Sequence, residues 1–135
     1  MTLTEEKQQD LIKKANEVRL RAYAPYSNYQ VGAALLTASG EVFTGANVEN
    51  AAYGVTMCAE RAAVFSAVSS GNLEFEAIAV ATHNGGSPCG SCRQVLSEFG
   101  LDIVVLQVDD QGNIIQENSV RDLLPGAFKG NDLIE

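Results

Sequence analysis

All three cysteines of this chain fall in two short clusters, Cys58-Ala59-Glu60 and Pro88-Cys89-Gly90-Ser91-Cys92. No other feature constrains the fold as much. Cys89 and Cys92 are spaced to share a face of a helix, and Pro88 fits a helix start. Cys58 lies in the first turns of a helix of its own. For the three sulfurs to meet, two helix N-termini must point at one spot, although a full strand separates them along the chain. The positive ends of both helices favour thiolates over thiols there. Cys58 and Glu60 stand about 200° apart around a regular helix. They converge only on a point beyond the helix end, so the site is expected at a helix tip and not along a helix side.

The rest of the chain supplies those helices and the sheet between them. Leu11, Ile12, Ala15, Val18 and Ala22 recur at helical spacing, which predicts an amphipathic helix over 4–22 capped by Thr2 or Thr4. Strands are expected over 31–38 and 41–48 as a hairpin around Ser39-Gly40, then over 75–82 and 103–106, with a weak fifth near Ile114-Ile115. Helices are expected over 56–69, over 89–99, and from a Ser119 cap to Leu124. The third and fourth strands bracket a helix, the pattern of a parallel crossover, and their near-continuous apolar runs predict burial on both faces. The expected fold class is α/β: a three-layer α/β/α sandwich with a mixed five-stranded sheet. Its 135 residues suit a single domain over 1–135, and 46% hydrophobic content opposes disorder.

Charge narrows the partners. The net charge is −8 and the nine basic residues are scattered. A nucleic-acid partner needs clustered Lys and Arg, so a small uncharged substrate fits better than DNA or RNA. The acidic N-terminus carries no secretory pattern, and no apolar run reaches bilayer length. The expectation is a cytoplasmic protein with no membrane partner, where cysteines stay reduced and serve metal or catalytic roles.

Three thiolates hold a zinc ion and leave one coordination position open, which marks a catalytic zinc site. Their combined charge weakens the ion as a Lewis acid unless cations stand behind them. Arg61 and Arg93 each sit one residue from a motif element and are the candidates for that role. Two other readings stay open on the residues alone. The cysteines can be reduced core residues, or His83, the only histidine, can close a structural site as a fourth ligand.

C-x-E followed by P-C-x-x-C resembles the zinc nucleobase deaminases, and here specifically the short homotetrameric cytidine deaminases. The resemblance extends to Tyr23-Ala24-Pro25-Tyr26-Ser27, Val31 to Leu35, Asn47 to Tyr53, Cys58 to Arg61, Pro88 to Gln94 and Leu123 to Phe128. It implies one Zn²⁺ per chain on Cys58, Cys89 and Cys92. It implies hydrolytic deamination of cytidine and 2′-deoxycytidine in pyrimidine salvage. In that scheme zinc-bound hydroxide attacks C4, and Glu60 shuttles protons from water to ring nitrogen to departing ammonia. It also implies that Asn47 and Glu49 bind the ribose hydroxyls, where turn chemistry is the alternative. Tyr29, Tyr53 and Ala59 would line the base pocket. Phe128 would complete the pocket of a neighbouring subunit, where an ordinary core or interface role is the alternative. Tyr29 departs from the phenylalanine common in that family. Three competing functions are a deaminase of a cytosine-bearing antibiotic such as blasticidin S, a nucleic-acid-editing deaminase, and a non-catalytic zinc-stabilised domain. Glu60 opposes the last.

Overall fold

The structure, a computed structural model, describes residues 3–134. Helix α1 (Glu5–Arg19) leads to β1 (Gly32–Thr37) and β2 (Val42–Ala46), and a 3-10 turn (Tyr53–Val55) leads to α2 (Ala59–Ser69). Then come β3 (Phe75–Ala81), α3 (Gly90–Phe99), β4 (Val104–Val108), β5 (Ile114–Ser119) and two short helices, α4 (Val120–Leu123) and α5 (Asn131–Ile134). The strands form one sheet in the order β2-β1-β3-β4-β5. β3 and β4 are parallel, with Ala79 beside Leu106. The other pairs are antiparallel, with Leu35 opposite both Phe43 and Ile78, and Leu106 opposite Glu117. The mixed five-stranded sheet is therefore present, as the apolar pattern predicted.

Alternation along the inner strands divides the core between two faces. Ala34, Leu36, Ala77, Ala79 and Leu106 face α1, which buries Leu11, Ile12 and Ala15 against them. Ala33, Leu35, Ile78, Val80 and Val105 face the other way, where Ala63 and Val64 of α2 and Leu96 of α3 cover them. Small residues let the helices approach closely. A Cβ on Gly32 would stand 2.1 Å from the Ala15 carbonyl oxygen, and one on Gly45 would stand 2.6 Å from both the Ala59 oxygen and the Ala63 nitrogen. Only glycine allows backbone that near.

Several boundaries differ from the sequence expectation. The Thr4 hydroxyl accepts from the Lys7 amide and caps α1, whereas Thr2 lies outside the described residues. α1 ends at Arg19 and not at 22, because Tyr23 is drawn into a bridge with Val48. α2 starts at Ala59 and not at 56, because the Met57 backbone is committed to Val48 in both directions, at 2.9 and 3.0 Å. Cys58 is consequently the N-cap of α2 rather than part of its first turn. β5 runs on to Ser119, whose side chain forms a reciprocal capping box with Asp122 and opens α4. The 3-10 turn and α5 carry no periodic signal in the sequence.

Candidate active site

The bridge between Val48 and Met57 extends the end of β2 alongside the start of α2. At the far side of the same spot, β3 ends and a loop over 82–89 delivers α3. Both helices therefore begin at one place. Cys58 caps α2 and Cys89 caps α3, each with extended backbone. Cys92 lies in the first turn of α3 and is fully buried. The Cys58 and Cys89 sulfurs are 3.8 Å apart, those of Cys89 and Cys92 are 3.4 Å apart, and all three lie within 4.8 Å of one another. A tetrahedron with Zn–S bonds of about 2.3 Å has edges of about 3.8 Å. The donor set and spacing thus fit one zinc ion. Among the described residues this is the one cluster of three or more His, Cys, Asp or Glu ligand atoms, and His83 is not in it. His83 is exposed and meets the Tyr29 ring edge-on at 5.4 Å.

The electrostatics favour one anionic sulfur, that of Cys58. The Cys58 thiol is pushed down to about 5, first by a hydrogen bond from Cys92 and then by Arg61. Cys92 is pushed up, because its proton is shared toward the Cys58 thiolate and because it is buried. Three thiols left to themselves divide little negative charge. A divalent cation reverses that preference and makes all three thiolates. Arg61 is the third residue of α2, so its side chain turns back over the N-cap and its Nη2 donates to Cys58 Sγ at 3.3 Å. That hydrogen bond holds the guanidinium proton above its ordinary value. Its Nε is a buried donor with no partner. Arg93 takes a different position from the one expected behind the thiolates. It donates to the Pro88 carbonyl at 2.9 Å, the Leu123 carbonyl at 2.7 Å and Ser87 Oγ at 2.6 Å, so it clamps the loop ahead of Cys89 to the end of α4.

Beside the sulfurs lies a cleft of about 280 Å³. Cys58, Ala59, Glu60 and Cys89 stand at its base, with Tyr29, Asn47 and Glu49 on its walls. Glu60 is 4% exposed, and burial pushes its carboxyl up to about 7. A group balanced there both takes and returns a proton near neutral pH. Glu49 is half-buried and accepts from the Tyr26 and Ser27 amides at 2.9 and 3.1 Å and from the Ser27 hydroxyl. The Ser27 hydroxyl above all holds its carboxyl below the usual range. Asn47 is nearly buried, with Oδ1 accepting from Val31 at 2.8 Å and Nδ2 donating to the Tyr29 carbonyl at 2.9 Å. Its amide therefore ties the chain ahead of β1 to the end of β2 and keeps one Nδ2 hydrogen for anything in the cleft.

Tyr53, expected in the base pocket, does not line this cleft, and Phe128, expected in a neighbouring subunit's pocket, is no part of it. Tyr53 is 83% exposed and borders an adjoining hollow with Tyr26 and Glu49. Phe128 is 55% exposed, and its carbonyl accepts from Gln94 Nε2 at 2.9 Å. The wall also includes residues that the sequence reading does not single out: Ser27, Thr56, Met57, Thr82, Gly86 and Ser87. Ser27 belongs to the Tyr-Ala-Pro-Tyr-Ser stretch, which was a signal. Nothing local marks Thr82 or Gly86.

The model of the cytidine and deoxycytidylate deaminase zinc-binding region matches residues 5–108. Cytidine deaminase of Halalkalibacterium halodurans is 52% identical over 128 residues, covering 93% of this chain and 96% of that protein. Blasticidin-S deaminase of Bacillus cereus is 32% identical, covering 90% of this chain and 92% of that one. Among solved structures, cytidine deaminase from Burkholderia pseudomallei superposes with a TM-score of 0.84 at 48% identity, covering 93% of this chain and 99% of that one.

Proposed function

This chain belongs to the cytidine and deoxycytidylate deaminase family, and we propose that it hydrolyses cytidine and 2′-deoxycytidine to uridine and 2′-deoxyuridine with release of ammonia. The observation that carries the reading is the meeting of three zinc-spaced sulfurs with the buried carboxyl of Glu60 at the base of one cleft. Cys58, Cys89 and Cys92 hold the zinc. Bound zinc supplies a Lewis acid that makes water acidic enough to attack at neutral pH. Glu60 accepts a proton from the attacking water and hands it to the pyrimidine ring nitrogen. It then accepts the second proton of that water and delivers it to the amino group, which leaves as ammonia. The oxygen stays on C4 and one proton stays on the ring nitrogen, so the atoms balance. Ala59 and Tyr29 flank the base, while Asn47 and the Glu49 carboxylate meet the ribose. A carboxylate suits hydroxyl donors and repels a phosphate, which favours free nucleosides over nucleotides.

The working form is a homotetramer of one such domain, residues 1–135, in the cytoplasm. Tyr53, exposed at the hollow next to the cleft, and Phe128, an exposed aromatic away from it, support pockets completed by neighbouring subunits. Among the described residues no helix is long and apolar enough to cross a membrane. The test is a panel of cytidine, 2′-deoxycytidine, cytidine monophosphate and blasticidin S, followed by loss of ultraviolet absorbance, with zinc measured per chain. Turnover of the two nucleosides, lost on chelation and restored by zinc, is expected. A zinc-loaded protein that deaminates blasticidin S and not cytidine would overturn the reading.

A further inference from the structure

The loop between β3 and α3 carries Gly86, Ser87 and Cys89 into the cleft, and its shape depends on a directed chain of hydrogen bonds. The Gly86 amide donates to Thr82 Oγ1 at 2.8 Å. The Thr82 hydroxyl therefore turns its own hydrogen elsewhere, to Asn84 Oδ1 at 3.2 Å. The Tyr29 hydroxyl donates to the same oxygen at 2.9 Å. One carbonyl oxygen with two lone pairs is satisfied by those two donors. Asn84 is itself held, because its backbone bridges to Asp109 beyond the end of β4. Contact across the chain is close: a Cβ on Gly86 would stand 2.3 Å from the Tyr29 hydroxyl oxygen. Tyr29 arrives from the segment ahead of β1, while Gly86 arrives from the far side of β3. Among the described residues no other hydrogen bond joins the Tyr29 side chain to the loop.

We propose that Asn84 is a positioning residue for the cleft: its side-chain oxygen locks the Tyr29 ring to the loop that presents Gly86, Ser87 and Cys89. The proposal rests on the reading that this cleft takes a pyrimidine nucleoside. It gives the tyrosine at position 29 a reason, since a phenylalanine there has nothing to offer Asn84. The lock sets the width between the aromatic wall and the loop. Its loss loosens the grip on the base before it disturbs the reacting groups, which α2 and α3 hold independently.

The test compares steady-state deamination of cytidine by the parent with Asn84→Ala, Asn84→Asp, Tyr29→Phe and the Ala/Phe double variant, with zinc content and melting temperature measured for each. Asn84→Ala is expected to raise KM about three- to tenfold, the range for losing one to two modest hydrogen bonds. Its kcat is expected within about twofold of the parent, with zinc unchanged. Asn84→Asp keeps two acceptor lone pairs and recovers most of the loss. Tyr29→Phe raises KM by less and adds nothing once Asn84 is alanine. KM within twofold of the parent in Asn84→Ala overturns the proposal, as does a defect that follows zinc loss or that Asn84→Asp does not relieve. A parent that neither binds nor deaminates cytidine refutes the nucleoside reading first, before any variant is compared, and the inference falls with it.

Discussion

An alanine at Gly45 is expected to displace the reactive residues without altering any of them. Gly45 lies in β2, beneath the first turns of α2. Its added Cβ would meet the Ala59 oxygen and the Ala63 nitrogen at 2.6 Å and the Ala62 Cβ at 2.8 Å. These are mainly backbone atoms, so no rotamer change relieves them. Ordinary contact begins near 3.4 Å, so the start of α2 has to recede by about 0.8 Å. Cys58 and Glu60 ride on that turn. Overpacking of this kind costs about 1–3 kcal/mol. With unfolding entropy of about 2.1 cal/mol/K per residue over 135 residues, that lowers the melting temperature by roughly 4–11 °C. A misplacement approaching 1 Å costs about 100-fold in rate. Gly32→Ala is the matched control. Its Cβ would stand 2.1 Å from the Ala15 oxygen, a still harder clash, but against α1 on the opposite face of the sheet. Thermal unfolding by circular dichroism and kcat/KM for cytidine, both read below the melting transition, separate the two variants. Both are expected to melt earlier, and only Gly45→Ala is expected to lose most of its activity while folded. Parent-like activity in Gly45→Ala, or an equal loss in folded Gly32→Ala, would refute the assignment of α2 as the rigid carrier of the site.

Glu60→Gln should lower kcat by about 10²- to 10⁴-fold, the span of a lost general acid–base, while zinc per chain by metal analysis stays at the parent level. Arg61→Ala removes the donor 3.3 Å from Cys58 Sγ and should cost about 10- to 100-fold in activity or zinc affinity. Partial recovery in Arg61→Lys would assign the effect to charge, and a fully active alanine variant would discard it. Phe128→Ala should cut activity by about tenfold or more, as expected for truncating an aromatic anchor that the proposed tetramer would bury. Sedimentation should show a tetramer for the parent, and an active monomer would contradict a shared pocket. Asp109 accepts from the Gln111 and Asn113 amides at 3.0 and 2.8 Å, and the Asn113 backbone bond above all keeps its carboxyl below the usual value. A depressed carboxyl contributes stability that is complete above its unfolded pKa near 4 and is lost as pH falls through the folded pKa. Asp109→Ala should therefore melt earlier than the parent at pH 7, and the gap should close on acidification below about pH 4. A gap that persists unchanged into acid would assign the effect to something other than the carboxylate.

Much of this molecule is written locally. The continuous apolar runs along 32–37 and 75–81, the glycine and asparagine turns, and the cap at Ser119 depend on near neighbours, so short windows of sequence carry them. The cysteine and glutamate clusters are local too, and their spacing already requires a site at the helix tips. Where elements end depends on partners far along the chain. Val48 claims the Met57 backbone in both directions, which shortens α2 and turns Cys58 into an N-cap. Long-range pairing also sends Arg93 to the carbonyl of Leu123 instead of to sulfur, spends most of the Asn47 amide on backbone, and brings Asn84 to Tyr29 across 55 residues. Periodicity reports which face a residue shows to the core. It says nothing about which distant backbone group a polar side chain will find, because that choice is made only when the sheet brings the loops together.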